Sequence, residues 1–209
     1  MIQKALLSTA YLAPIQYYTI LLRYNEVLIE IFENFTKQTY RNRCRIYGAN
    51  GELSISIPVK KLATKTKIKD ILIDYDTNWQ KLHWKSIESA YRSSPFFEFY
   101  EDDLRIFYEK KYKFLIDFNI EIQNMILEQL DLQINLKFTP EYQSGLVSNY
   151  EDFRNEIHPK KINKDFNSEL IKYTQVFSEK YGFLPNLSII DLLFNEGPNA
   201  IEVLKRINL

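Results

Sequence analysis

The run Gly48-Ala49-Asn50-Gly51 restricts this chain more than any other stretch of it. It separates two segments, residues 43–47 and 53–58, in which apolar and polar residues alternate. Asn-Gly is the preferred pair for a two-residue turn whose central residues both need positive φ, so the segment reads as a β-hairpin turning about Asn50 and Gly51. Such a turn pairs Ile46 with Ile55 and Cys44 with Ile57 on one face. Arg45 then pairs with Ser56 and Tyr47 with Ser54 on the other. Alternation sends Arg43 and Arg45 the same way, off the apolar face.

The residues before the hairpin read as strand, loop, helix and strand. Residues 5–10 form a short buried strand running into a loop at Pro14, Ile15–Arg23 a helix, and residues 26–32 a second strand. This is the βαβ opening of a parallel sheet. Residues 68–73 read as a further strand. Thr77 or Asn78 caps a helix running to about Ser93, with Trp79, Leu82, Ile87, Ala90 and Tyr91 at helical spacing. Residues 112–130 read as a long amphipathic helix, with Leu115, Phe118, Ile122, Met125 and Ile126 on one side. Residues 143–164 look irregular. Ser188, with Asp191 three residues later, resembles a capping box opening a helix over residues 189–194. Gly197-Pro198 ends that helix and starts the last one. The aromatic run 95–100 is either a self-association patch or core. With no repeat and no Gly/Ser linker, residues 1–209 read as a single domain.

Charge bounds the function. The 27 basic and 27 acidic residues cancel, whereas a chain built to bind nucleic acid is usually basic, so a basic site here must be local and no nucleic-acid partner is expected. One cysteine excludes an internal disulfide, and the opening MIQKALLSTAYLAPI is too short and interrupted for a signal segment or membrane span. The expectation is a cytoplasmic protein. The 15 Tyr and 14 Phe are read mainly as core.

Four stretches could carry chemistry. In residues 34–45, Lys37, Arg41, Arg43 and Arg45 lie close together, and guanidinium forks suit phosphate or carboxylate. The segment also follows the end of a strand, where open α/β sheets bind ligands. Its competing reading is a solvated hairpin face. His83, four residues from both Trp79 and Ile87, is either a general base or a hydrogen-bonded core histidine. His158 follows Asp152 and Arg154 in a loop ahead of Pro159, a place where functional and plain surface residues both occur. Asp191 and Asn195, one helical turn apart, face a site or stabilise a helix end. The two histidines are distant in sequence and no Cys pair exists, so no metal site is expected. Cys44 falls on the apolar hairpin face and reads as structural.

Several stretches, in order over nearly the whole chain, resemble the WbqC-like family in the short form found in Bacteroidetes. They are residues 8–17 (STAYLAPIQY), 38–46 (QTYRNRCRI), 56–60 (SIPVK) and 68–74 (IKDILID), then the Trp79, His83, Glu88 and Tyr91 pattern, 95–100 (PFFEFY) and 187–198 (LSIIDLLFNEGP). The opening is also similar to nucleotidylyltransferase-type sheets, with Tyr11-Leu-Ala-Pro14 where those carry His-x-Gly-His. The fold class that follows is α/β: a small, mostly parallel Rossmann-like sheet with an added β-hairpin and flanking helices, and a helical C-terminal half. Longer family members carry a glycine loop in the middle that this chain lacks.

The resemblance implies surface-polysaccharide (O-antigen-type) precursor metabolism. The partner would be a phosphorylated small molecule such as a nucleotide sugar, and the activity a group transfer. The alternative is a non-catalytic binding or scaffold protein that keeps the fold and an anion pocket. No cofactor is implied, and no oligomeric state is fixed. His83 and His158 are the expected proton carriers. Tyr11, Lys37, Arg41, Asn42, Arg43, Arg45, Glu88, Tyr91, Asp191 and Asn195 are the expected ligand contacts. One geometric requirement follows: Tyr11, Arg41, Arg43, Arg45 and His83 must line a single cleft.

Overall fold

The computed structural model describes residues 4–61, 65–144, 150–161 and 172–206. Strand β1 (Lys4–Ser8), helix α1 (Ile15–Arg23) and strand β2 (Glu26–Glu30) form the expected βαβ unit. The strands pair in parallel from Lys4 opposite Glu26 to Ser8 opposite Glu30. Ala5, Leu7, Val27 and Ile29 are buried, as near-continuous apolar strands of a covered parallel sheet should be.

The hairpin follows as β3 (Arg43–Gly48) and β4 (Gly51–Ser56). Its register differs from the sequence expectation by two residues. Cys44 faces Ile55, Ile46 faces Leu53, Arg45 faces Ser54 and Tyr47 faces Glu52. Gly51 takes a positive φ of 101° while Asn50 does not. The turn therefore centres on Ala49 and Asn50, with Gly51 supplying the positive φ that lets the strands rejoin. A shift of two keeps every side chain on its face. Cys44 and Ile46 are buried, and Arg43 and Arg45 share the other side.

Residues 68–73 are not a strand. Ile68–Asp70 makes one 3₁₀ turn, and isolated bridges join Leu72 to Phe114 and Ile73 to Val59. Ile68, Ile71 and Ile73 are all buried, so the apolar pattern was a true burial signal that two spacings share. Helix α2 (Trp79–Tyr91) is capped by the Asn78 side chain, which accepts from the Lys81 amide at 3.4 Å. Leu82 stands outside its buried face. The run 95–100 enters helix α3 (Phe97–Glu109), where Phe97 and Tyr100 are core and Phe99 is exposed. Helix α4 (Leu115–Gln129) starts later than expected because residues 113 and 115 bond to the 71–73 segment.

Two short strands complete the sheet. β5 (Leu136–Phe138) lies parallel beside β2, and β6 (Tyr150–Asp152) parallel beside β1, within the segment expected to be irregular. The order is β5-β2-β1-β6. The chain works outward from β1 through β2 to β5, then returns to the other side of β1, so the order reverses between β1 and β6.

The C-terminal part holds α5 (Ser178–Tyr181), α6 (Ile189–Glu196), a 3₁₀ turn and α7 (Ala200–Arg206). The expected capping box does not form: the Ser188 hydroxyl donates to the Leu12 carbonyl at 2.8 Å, tying the helix start to the loop after β1. That loop is held from several directions. The Tyr11 amide donates to the Tyr40 carbonyl, the Ile15 amide to the Leu187 carbonyl, and the Ala13 carbonyl accepts from the Ile189 amide.

Gly197 closes α6 with φ 54°, and a Cβ there would lie 2.5 Å from the Phe96 ring. Gly197→Ala should therefore cost about 2 kcal/mol or more, from the left-handed backbone plus the clash. A urea melt showing an unchanged midpoint would contradict this packing.

Candidate functional site

A crevice opens where the strand order reverses, the position at which open α/β sheets bind ligands beyond the carboxyl ends of their strands. Ser8, Thr9 and Ala10 leave β1 there, Tyr40 and Arg41 arrive from the segment before β3, and Phe153, Arg154 and Ile157 follow β6. Two arginines dominate it, and both are already paired. Arg41 grips Glu33 through Nε (2.8 Å) and Nη2 (2.6 Å), and Nη2 also donates to Ser8 Oγ at 2.7 Å. Arg154 grips Asp152 in the same two-pronged way (2.9 and 2.6 Å) and reaches Glu30 at 3.3 Å. Glu30, fully buried, also accepts from the Phe32 and Gln143 amides and from Thr139. These pairs leave about 10 Å³ inside, room for about one water molecule.

The uncommitted positive charge sits near this crevice. Arg43 on β3 is half-buried, its Nε is enclosed without a hydrogen-bond partner, and among the described residues it makes no ion pair. His158 is within the field of Arg41 and Arg43, and of Lys160 and Lys161 on its own loop. Burial first, then those four cations, hold its pKa below the ordinary histidine value. Its Nδ1 accepts the Lys160 amide at 3.0 Å, so the neutral ring carries its proton on Nε2. Neither Lys160 nor Lys161 makes an ion pair among the described residues.

The other expected site residues lie elsewhere, and the five residues required to line one cleft do not. Tyr11 and His83 are core. The Tyr11 hydroxyl lies 3.0 Å from His83 Nδ1 and 2.7 Å from the Tyr108 hydroxyl, and the imidazole also meets the Ser56 backbone. Burial drives the His83 pKa down to about 4, so it is a neutral, packed group with no open path to a ligand. Arg45 pairs with Glu52 at 3.2 Å and lies against the Tyr40 ring. The Asn42 amide nitrogen donates to the Ile57 carbonyl (2.8 Å), and its Oδ1 is enclosed without a partner among the described residues. Lys37 is exposed and does not line the crevice. Glu88 pairs with Arg92 along the outer groove of α2.

Tyr91, Asp191 and Asn195 belong to a third, buried group. Asp191 Oδ2 accepts from Tyr173 (2.5 Å) and Gln175 (2.8 Å), Tyr91 accepts the Tyr47 amide, and Asn195 donates to the Asp191 carbonyl. Gln175 in turn clamps both backbone groups of Leu184. This network fastens the segment before α6 to the core. Sequence reasoning named Arg41, Arg43 and His158 without placing the histidine beside the arginines, and it missed the acids Glu30 and Glu33. The signal for Glu33 was its place just ahead of the basic segment.

The model of the WbqC-like protein family matches residues 9–153 and 148–203, and the chain belongs to that family. It is 28% identical over 228 residues to the uncharacterized protein Rv1507c of Mycobacterium tuberculosis (strain ATCC 25618 / H37Rv), covering 96% of each chain. No solved structure matches it.

Asp191 gives a pH test of the buried network. Burial raises its pKa from 3.8 to about 6, against the opposing hydrogen bonds of Tyr173, Gln175 and Tyr91. A carboxyl whose folded pKa exceeds its unfolded value favours folding most at low pH, and that contribution is lost as pH rises to about 6. The loss is about 3 kcal/mol. Urea unfolding of wild type and Asp191→Asn between pH 4 and 7 should show the variant gaining stability relative to wild type as pH rises. A constant difference would show that Asp191 does not titrate in that window.

Proposed function

We propose that this WbqC-like protein binds a phosphorylated small molecule of the nucleotide-sugar class beside the β1–β6 crevice and transfers a group within surface-polysaccharide precursor metabolism. The observation that carries this reading is Arg43. It is a half-buried arginine whose Nε is enclosed without a partner, unpaired among the described residues and two residues along the chain from Arg41 of the carboxyl-end crevice. Holding a guanidinium partly out of water without a carboxylate is costly, and an incoming phosphate would offset that cost. Arg41 and Arg154 act differently. Their carboxylates use up their charge, so they build the crevice and position the loops around it. Of the two histidines, His158 is the one reachable by a ligand, and it takes over the proton-carrying role from buried His83. Such chemistry fits a cytoplasmic protein.

A second reading rests on a specific observation. The crevice holds about one water, so it encloses neither a donor nor an acceptor for reaction away from solvent. That favours a protein which binds the phosphorylated compound and presents it without turnover.

Thermal-shift measurements against nucleotide sugars and sugar phosphates test the binding claim. Melting temperature should rise with ligand as RT ln(1 + [L]/Kd) requires. Arg43→Ala should bind at least about tenfold more weakly, the loss expected of one charge-assisted contact. No response from any phosphorylated compound would remove the reading. Binding without conversion of donor and acceptor would select the second one.

A further inference from the structure

The three most exposed large apolar side chains among the described residues are Phe99 (71%), Leu82 (62%) and Ile106 (57%), and all three stand on one pair of helices. Helices α2 and α3 are joined by the short 92–96 link and run antiparallel. Contacts between them set the register. Gln80, at the start of α2, donates to the Phe107 and Lys110 carbonyls at the end of α3. Trp79 meets Tyr108 edge to face, and Trp84, further along α2, stacks on Phe97 at the start of α3. To within about a turn, Leu82 is therefore level with Ile106, Lys85 with Asp102 and Ser89 with Phe99.

The outer faces of the two helices carry opposite charge. On α2, exposed Lys81 and Lys85 accompany Leu82 and the small Ser89. On α3, exposed Glu98 and Asp102 accompany Phe99 and Ile106, which lie seven residues apart on one stripe. None of these four charges makes an ion pair among the described residues. Lys85 and Asp102 stand level on neighbouring helices, yet both turn outward instead of toward each other. A shallow open groove on α2, bordered by Lys85, Ser89 and Ser93, has room for a bulky side chain from outside. No residue lining the β1–β6 crevice lies on either helix.

From this arrangement we infer that the outer face of the α2–α3 hairpin is the self-association surface of a two-fold symmetric dimer, its occupant a second copy of this chain. Charge complementarity selects that occupant. The basic and acidic halves lie side by side on one face, so the face complements its own half-turn image. A two-fold axis along the hairpin, between the helices, lays α2 of one copy on α3 of the other and keeps every level in place. Leu82 then faces Ile106 of the partner subunit, Lys85 faces Asp102 of the partner subunit, and Phe99 enters the serine-lined groove. Each contact forms twice. Two helices about 20 Å long, packed about 9 Å apart, offer a face of roughly 400 Å² in projection, more with side-chain relief. That is the lower end for a specific interface, and it sets the expected dissociation constant in the micromolar range.

Sedimentation velocity of the full chain tests this, run from about 1 to 300 µM to span a micromolar equilibrium. The mass should rise with concentration from the 25.0 kDa of one chain toward twice that value. Lys85→Glu and Asp102→Lys each set like charges opposite one another at both symmetry-related places, and each should weaken association by about tenfold or more. Phe99→Ser should do the same by emptying the groove. All three positions are exposed, so thermal melts followed by circular dichroism should match wild type. An equimolar mixture of the Lys85→Glu and Asp102→Lys proteins should regain wild-type association, because one copy then brings acids at both positions and the other bases at both. A wild-type chain that stays monomeric at the highest concentration would overturn the inference and leave the apolar stripe to a different protein. A dimer indifferent to all three substitutions, or a charge-swapped pair that mixing does not restore, would overturn it by placing the contact elsewhere.

Discussion

The loop from Thr9 to Pro14 is the element on which the rest of the structure depends. Its backbone exchanges hydrogen bonds with Tyr40 and Ile189, the adjoining Ile15 amide donates to the Leu187 carbonyl, and its Leu12 carbonyl receives the Ser188 hydroxyl. Leu12 adopts a φ of 41°, unusual for a residue with a branched side chain, and is held there by contacts from both sides. Thr9 accepts from Asn119 of α4, which also binds the Arg41 carbonyl. One short stretch thus fixes the end of β1, the segment before the hairpin, helix α4 and the start of α6. The buried Tyr108–Tyr11–His83 chain adds a side-chain anchor at the same place.

That anchoring explains why the charges near β1 divide as they do. The segment before β3 must pass the carboxyl end of the sheet, and its Arg41 meets Glu33 in an enclosed space where an unpaired charge would be prohibitive. The loop after β6 solves the same problem with Asp152 and Glu30. Arg43 lies two residues further along, on the hairpin face turned off the apolar side, where no carboxylate of the described residues meets it. Pairing marks the structural arginines, and the absence of pairing marks the candidate for ligand contact.

Much of the fold was legible because it followed local rules. The βαβ opening came from short apolar runs and a Pro-bounded helix, and the facing of Arg43 and Arg45 came from strand alternation, which survives a two-residue register error. The hairpin register was missed because one glycine met the turn's need for positive φ, leaving Asn50 in ordinary backbone. The 68–73 segment was misread because burial at three-residue and two-residue spacings alternates within it. The site was less legible. Tyr11 and His83 looked like neighbours of the arginines, yet they contact each other across 72 residues, inside the core. Asp191 looked like a capping residue and is instead the acceptor of Tyr173 and Gln175. No spacing rule reveals a partner that only the tertiary fold supplies. The acids that neutralise Arg41 and Arg154 were hidden for the same reason, and they decide which arginines have charge to offer.

The central claim concerns Arg43, two residues along the chain from Arg41 of the crevice between β1 and β6. A crystal structure of the protein soaked with UDP-glucose tests it most directly. The account predicts diphosphate density within hydrogen-bond distance of the Arg43 guanidinium, with the Arg41–Glu33 and Arg154–Asp152 pairs intact. Ordered ligand elsewhere, such as in the groove along α2 beside Lys85 and Arg92, or ligand that displaces Glu33 to reach Arg41, would contradict it.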